Sequence, residues 1–312
     1  MHWKLKAAIQ NVMGRLPSDL ANPIYYGLQR SCGGLRRTSP VSRFKAGIEM
    51  AHRLRLFERS VGSAAFLEVG TGHQLNLPLS LWLCGAGRIT TVDLNRYLRE
   101  RLVMDDISYL RNHKQQIRDL FFKIPQYDLF DDRFNRLVNA TSLGEVLALT
   151  NIRYLAPADA GRLDMKDGSI DFHISYTVLE HVPAEEMKRI FREGRRVLKP
   201  DGLFVHCIDF SDHFAHSDSS VSTLNFLQFS ESDWNRLAGN RYMYHNRLRV
   251  DEFRELAAES GLEILALDAR VDEAAMEVLR NGFPLNERFV DKDFQTNAAT
   301  EAWLVASPGQ FT

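Results

Sequence analysis

Between His206 and His216 the chain sets three imidazoles and two carboxylates in one run, His206-Cys-Ile-Asp209-Phe-Ser-Asp212-His213-Phe-Ala-His216. An unperturbed imidazole titrates near neutrality, so such a run can take a proton from a reacting hydroxyl or amine. His213 is the first choice as general base. Asp209, four residues earlier, would orient it or hold a substrate. His181, in Val178-Leu-Glu-His-Val182, is a third candidate; fixing the turn before Pro183 is its competing role. Polar loops also carry such histidines as solvated groups. Asp and His suit a divalent ion as well, but no tight carboxylate set is legible, and no metal is assigned from the sequence.

A second group lies upstream. Phe66 to Val69 read as a buried strand, Gly70 and Gly72 open a tight turn, and a helix follows from about Leu77, with Pro78 in its first turn. Strand, glycine turn and helix bring backbone amides close to a nucleotide-like ligand. Asp93 stands 21 residues beyond Gly72, at the tip of a second strand over Ile89–Val92. A carboxylate there suits the two hydroxyls of a ribose. A dinucleotide fingerprint would put a third glycine at position 75, where this chain has Leu75.

The elements that must position these groups alternate strand and helix. A third strand is expected at Ile152–Leu155, a fourth within Ser169–Tyr176, and a helix from Pro183 whose apolar face is Met187, Ile190, Phe191, Val197 and Leu198. Lys199 to Gly202 then turns into a strand at Leu203–Ile208. Strands at Leu262–Leu267 and Ala302–Ala306 complete the pattern. This alternation indicates an α/β sheet that is mostly parallel. Residues 97–150 exceed what one crossover helix needs. Their helical patterns (Leu110, Ile117, Leu120, Phe121, then Phe130, Phe134, Leu137, Val138) suggest an inserted cap over the strand ends or a peripheral elaboration. Residues 22–40, with Pro23, Gly27, Gly33, Gly34 and Pro40, read as a turn-rich connection. Residues 223–249 mix aromatics with Arg and Asn, which suits a sugar or a loop packed on the sheet.

Composition bounds the rest. Three dispersed cysteines (Cys32, Cys84, Cys207) argue against a disulfide framework and fit a reducing, cytoplasmic setting. No apolar run is long enough to span a bilayer. Net charge is −1, yet residues 1–55 hold ten Lys/Arg against two acids, leaving −9 on the remainder. Leu5, Ala8, Ile9, Val12, Met13 and Leu16 recur at helical spacing ahead of Pro17. This arm would rest on its own body or a partner, or lie on an anionic membrane surface at the inner face through residues 1–20.

The ordered set Leu-Glu-Val-Gly-Thr-Gly (67–72), Val-Asp (92–93), Asp-Ala (159–160), Asp-Gly-Ser-Ile-Asp (167–171), Val-Leu-Glu-His-Val (178–182) and Arg-Val-Leu-Lys-Pro-Asp-Gly (196–202) resembles the class I S-adenosylmethionine-dependent methyltransferases, in the group with the Leu-Glu-His segment. The resemblance spans about residues 64–210 and implies S-adenosyl-L-methionine as cofactor. It implies that Glu68, Gly70 and Gly72 underlie the methionine part, that Asp93 holds the ribose, and that Asp159 accepts from the adenine amino group with Ala160 beside the ring. Ser175 and Tyr176 would border cofactor and substrate mouth. Gln74 stands where the family often has a third glycine, which implies a wider loop.

The expected architecture is α/β: a Rossmann-like, seven-stranded, mostly parallel sheet with helices on both faces. A basic helical arm would occupy residues 1–60 and the methyltransferase domain 61–312, with the insertion or cap at 97–150. The expected activity is methylation, at oxygen in preference to carbon or nitrogen, of a small-molecule or glycan-type acceptor; nucleic acid suits the acidic body poorly. The alternative is a non-catalytic S-adenosylmethionine-binding or assembly protein.

Overall fold

The computed structural model describes residues 2–32, 39–125 and 127–309. Three helices lead in: α1 (Trp3–Arg15), α2 (Ser18–Cys32) and α3 (Val41–Leu56). Then follow β1 (Ala65–Val69), α4 (Asn76–Leu83) and β2 (Arg88–Val92). Four consecutive helices come next: α5 (Glu100–Asn112), α6 (Lys114–Phe121), α7 (Tyr127–Leu137) and α8 (Leu143–Thr150). The chain continues through β3 (Ile152–Leu155), β4 (Ile170–Tyr176), α9 (Ala184–Val197), β5 (Leu198–Asp209), α10 (Glu231–Ala238) and α11 (Val250–Glu259). It ends with β6 (Glu263–Val271), α12 (Glu273–Arg280), α13 (Glu287–Val290), α14 (Phe294–Ala298) and β7 (Ala299–Ser307).

The seven strands form one sheet in the order β3-β2-β1-β4-β5-β7-β6. Pairing is parallel from β3 through β5, and β7 runs antiparallel to both β5 and β6. The chain moves outward from β1 to β3, then crosses to the other side of β1 for β4. That reversal opens a crevice beyond the carboxyl ends of β1 and β4, where doubly wound sheets bind ligands. Alternation along the strands sorts the core. Phe66, Phe172 and Ile174 face α3, α4 and the four-helix segment. Leu67, Val69, Phe204 and Ile208 face α9 and α11, through Met187, Phe191, Phe253 and Leu256. Helix α9 follows Pro183, carries Glu185 and Glu186 in its first turn and Arg195 and Arg196 in its last, all favourable to its dipole.

Two expectations change. The expected stripe of α1 does not face the body. Its buried residues are Trp3, Ala7, Gln10 and Met13, while Leu5 and Val12 are 56% and 61% exposed. The Trp3 ring sets this rotation by packing on Phe214 and Phe229, at centroid distances of 5.3 and 6.0 Å. One large aromatic outweighs several aliphatics in buried area. The small Gly14 lets α1 approach Asn240, where an added Cβ would fall 2.9 Å from that side chain.

Residues 22–32 of the expected connection belong to helix α2, which runs through Pro23 and Gly27; Gly33, Gly34, Arg36 and Arg37 lie outside the described residues. Tertiary contacts override the local preference: Ala21 is buried, and Tyr25 stacks on Tyr242 at 4.1 Å while accepting from Gln10 and Gln29. The outer side of α2 leaves Leu20, Ile24 and Leu28 exposed.

Helices α5 to α8, the segment expected as an inserted cap or peripheral elaboration, pack into the core. Ile117, Phe121, Phe130, Phe134, Leu137 and Val146 are fully buried with residues of α3 and α4. Arg133 donates to the carbonyls of Trp82 and Ala86 at the end of α4. Residues 223–249 likewise turn their aromatics inward. Phe226, Trp234 and Met243 pack with Trp3, Phe214 and Phe289. Arg247 and Arg249 are buried and spend their guanidinium groups on backbone carbonyls and Glu231.

Candidate active site

Beyond the carboxyl ends of β1 and β2 lies a cavity of about 520 Å3, bordered by Gly70, Asp93, Asp159, Ala160 and His181. A larger one of about 750 Å3 lies between α3 and the end of α6; besides surface charges it is lined by His52, Ser60 and Cys84, whose thiol burial keeps protonated, and it holds none of the candidate site residues. The smaller cavity is therefore the candidate site.

The glycine turn is built for close approach. Gly70 has φ +88°, a conformation open to glycine, and a Cβ there would fall 2.5 Å from Val178 Cγ2. Gly72, at φ +64°, faces open space. Its backbone N–H donates to Asp93 Oδ2 at 3.0 Å, and Asn95 N–H donates to Oδ1 at 3.0 Å. Burial raises the pKa of Asp93, and these two hydrogen bonds offset part of that rise. Asp159 is half-exposed; Oδ1 accepts from Gly161 N–H and Oδ2 from Arg189. Each carboxylate retains lone pairs toward the cavity. A volume of this size suits a nucleoside-sized ligand.

The far wall is a histidine cluster. His181 stands 4.8 Å from His213, ring centroid to centroid; His216 and His245 flank His213 at 4.9 and 5.2 Å. His181 Nδ1–H donates to the Tyr244 carbonyl at 2.7 Å. Burial and the neighbouring His213 lower its pKa to about 4; its side chain is still 40% exposed, and the water it keeps moderates that shift. His213 Nε2 lies 3.4 Å from Asp209 Oδ2. Burial of Asp209 raises its pKa, but the His213 contact and two donors from Ser211 outweigh this and hold the carboxyl well below the usual range. Beneath them Glu180 is wholly buried, and burial drives its pKa well above the usual range.

Residues 135–206, from within α7 to within β5, match the family model of a methyltransferase domain. That stretch carries β3, β4 and most of β5, together with Asp159, Ala160 and His181 of the cavity. Over those residues the chain is similar to a methyltransferase domain. No curated protein sequence matches it. Among solved structures it is similar to a Galdieria sulphuraria protein provisionally assigned as a sarcosine dimethylglycine methyltransferase, with 16% identity, coverage of 85% of this chain and 86% of that one, and a TM-score of 0.48. An S-adenosylmethionine-dependent methyltransferase from Methanosarcina mazei gives 15% identity, 80% and 94% coverage, and a TM-score of 0.46. A geranyl diphosphate methyltransferase in complex with S-adenosylmethionine gives 12%, 84% and 85%, and 0.45.

The fold gathers some expected residues and disperses others. Gly70, Asp93, Asp159, Ala160 and His181 share the cavity, with His213 and Asp209 directly behind His181. Glu68 is buried on β1, where it accepts from Thr91; burial raises its pKa to about 8, that hydrogen bond opposing. Ser175 is fully buried and pairs with His206 at 2.8 Å. Tyr176 lies under the guanidinium of Arg43, 4.5 Å from its ring centroid. His206 leaves the group of bases: it points into the core on β5 between Ser175 and His173. Asp212 leaves it too, bound by Asn225 and the Phe214 N–H.

Two participants escaped the sequence. Glu180 read as part of a motif, although adjacency to His181 was a signal. Lys6 was read as arm charge, yet it donates to the His213 carbonyl at 3.5 Å and to Ser217 Oγ at 3.0 Å, while Trp3 N–H donates to Asp218. Helix α1 thus buttresses the loop that carries the histidines.

Proposed function

We propose that this protein is a class I S-adenosylmethionine-dependent methyltransferase that acts on a hydroxyl of a small-molecule or glycan-type acceptor. The observation that carries the reading is the continuity of one cavity from Asp93 and Asp159 at one end to His181 at the other, with the Asp209–His213 pair behind it. In this reading Asp93 holds the ribose hydroxyls, and Asp159 accepts from the adenine amino group beside Ala160. Gly70 and Gly72 admit the methionine part, with Glu68 below them. Ser175 and Tyr176 shape the strand end from behind, since their polar atoms already have partners.

The bound sulfonium supplies an electrophilic methyl group. The chain must hold the acceptor oxygen in line behind it. His181 lines the place where that oxygen would lie. His213 accepts the hydroxyl proton, and Asp209, held anionic by Ser211 and 3.4 Å from Nε2, stabilises the imidazolium. Carbon and nitrogen acceptors fit less well, because a basic amine needs less help from such a pair.

The test separates turnover from binding. Methyl-labelled cofactor with extract fractions of lipid, glycan, small molecules and nucleic acid identifies the acceptor. His213→Ala and Asp209→Asn are then expected to lower turnover by about 10²–10⁴-fold with cofactor affinity kept. Unchanged turnover in both removes the catalytic assignment. Cofactor binding with no labelled fraction at all favours the alternative, a non-catalytic binding or assembly protein.

The outward faces of α1 and α2 supply a second element of the reading. Among the described residues no helix is long and apolar enough to cross a membrane. Leu5, Val12, Leu20, Ile24 and Leu28 are nonetheless exposed, beside the exposed Lys4 and Arg15. An apolar face edged with cations suits peripheral contact with an anionic lipid surface. The buried free thiols of Cys84 and Cys207 suit a reducing compartment, hence the cytoplasmic face.

A further inference from the structure

We infer that Glu180, His181 and His213, with Asp209 beside them, form a site for one divalent transition-metal ion at the mouth of the cavity. One donor atom from each of Glu180, His181 and His213 lies within 4.8 Å of the other two. Three independent features aim these atoms at a common point.

The first is Glu180. Its side chain is 0% exposed, and neither carboxylate oxygen has a well-aligned hydrogen-bond partner among the described residues. The nearby backbone N–H groups of Glu180 and Asp209 compensate only in part. A buried carboxylate without partners is costly unless a cation meets it. The second is the tautomer of His181. Its Nδ1 faces a carbonyl and must carry the proton, so Nε2 presents a lone pair, 3.9 Å from Glu180 Oε1. A ring nitrogen donating to a backbone carbonyl is the usual outer support of a metal-bound imidazole. The third is His213, whose Nε2 is buried without an aligned partner and lies 3.4 Å from the Asp209 carboxylate.

The other histidines are excluded by their hydrogens. Ser211 gives its one hydroxyl hydrogen to Asp209 at 2.6 Å, so His216 Nε2, 2.9 Å from the same hydroxyl, is the donor there. His245 Nδ1 accepts from Arg247 N–H, which leaves the proton on Nε2. In the competing set Asp209, His213 and His216, the His216 nitrogen that faces Asp209, Nε2 at 3.6 Å, therefore has no free lone pair. Two imidazoles with carboxylate oxygens favour Zn2+, Co2+ or Fe2+ over Mg2+ or Ca2+.

Such an ion would keep open positions toward the cavity, because His181 lines it while Glu180 closes the floor. The task this gives the ion rests on the methyl-transfer reading. An acceptor hydroxyl bound to the ion loses its proton to solvent more readily. The oxygen then gains the methyl carbon as the carbon–sulfur bond breaks and the sulfonium becomes a neutral thioether. His213 would act as ion ligand in place of proton acceptor.

The experiment uses the full chain, stripped by a chelator and dialysed, titrated with Zn2+ against a chromophoric competitor and with Co2+ by visible absorption. One equivalent is expected, with Co2+ showing imidazole-type bands. Glu180→Gln and His181→Ala should each weaken Zn2+ by at least about tenfold, and His216→Ala should leave it unchanged. Retained S-adenosylmethionine binding certifies that each variant is folded. Absence of stoichiometric binding, or binding that survives both Glu180→Gln and His181→Ala, overturns the site. Methyl transfer insensitive to chelation, with no ion bound, leaves the His213–Asp209 base intact, so the two readings fail separately.

Discussion

Gln74 in the glycine turn donates its side-chain amide to Asp106 Oδ2 on α5, across 2.6 Å. The residue that departs from a third glycine thus ties the cofactor turn to the inserted helices. Burial raises the pKa of Asp106 to about 7, with Gln74 and Asn76 opposing. An unfolded aspartate titrates near 3.9, so the folded state holds the extra proton between the two values. The stabilisation is complete below about pH 4 and is lost as pH rises through about 7. At about 1.4 kcal/mol per unit it amounts to a few kcal/mol at most. Thermal unfolding should show a falling Tm from about pH 5 to pH 8, and Asp106→Asn should flatten that slope. Glu68 acts with the same sign in a higher window, up to about pH 8. Parallel slopes for wild type and variant would contradict the assignment.

Asp93→Ala should weaken S-adenosylmethionine binding by roughly 10- to 100-fold, since hydrogen bonds to a charged group contribute about 1.5–3 kcal/mol. Asp159→Ala should cost less, because that carboxylate is half-exposed and shared with Arg189. Calorimetric titration ranks the two, and the reverse order would remove the ribose role from Asp93.

The turn after β4 stores strain. Thr177 has φ +51°, unfavourable for a β-branched residue, and its hydroxyl accepts from Arg43 at 3.0 Å. Thr177→Gly should change stability by less than about 1 kcal/mol, because relief of strain offsets the lost hydrogen bond. Thr177→Val keeps the strain and loses the bond, and should cost about 1–2 kcal/mol. Denaturant unfolding decides; a valine variant as stable as the glycine one would refute this account.

Phe130 stacks between Phe121 and Phe134, at 4.7 and 5.4 Å, with no exposure. Phe130→Ala should cost about 3–5 kcal/mol of stability. Cofactor affinity of the folded fraction should not change, because no described residue of α5 to α8 lines the cavity. A lid would give the opposite result, kept stability with altered affinity.

Leu5→Asp with Val12→Asp should abolish sedimentation with anionic vesicles and leave Tm nearly unchanged, since both side chains are already in water. Equal sedimentation of variant and wild type would remove the lipid contact.

Much of this was legible beforehand. The strand-turn of Phe66 to Gly72, Asp93 and the Leu-Glu-His segment each pair a periodic pattern with a residue of narrow use, and the topology then fixes their places. The rotation of α1 was not, because its aliphatic stripe is longer than its buried face and one Trp3 contact decides between them. Helix α2 was hidden by Pro23 and Gly27, whose local preference yields to the Tyr25–Tyr242 contact. His206 could have been read: it shares the inward period of Phe204 and Ile208 on β5, while Asp209 ends the strand and His213 lies beyond it. The tautomers around His181 were beyond any sequence, since they depend on carbonyls and hydroxyls brought from Tyr244 and Ser211.

The docking of α1 on the histidine loop also has a bearing on synthesis. Trp3 and Ala7 cluster with Phe214, Phe226, Trp234 and Met243, so more than two hundred residues must leave the ribosome before that face is covered. Until then the nascent helix shows apolar side chains on both sides, and it is open to a chaperone or a lipid surface throughout translation. Hydrogen exchange on the finished protein should find the amides of α1 and of residues 213–218 opening together, as one cooperative unit closed last.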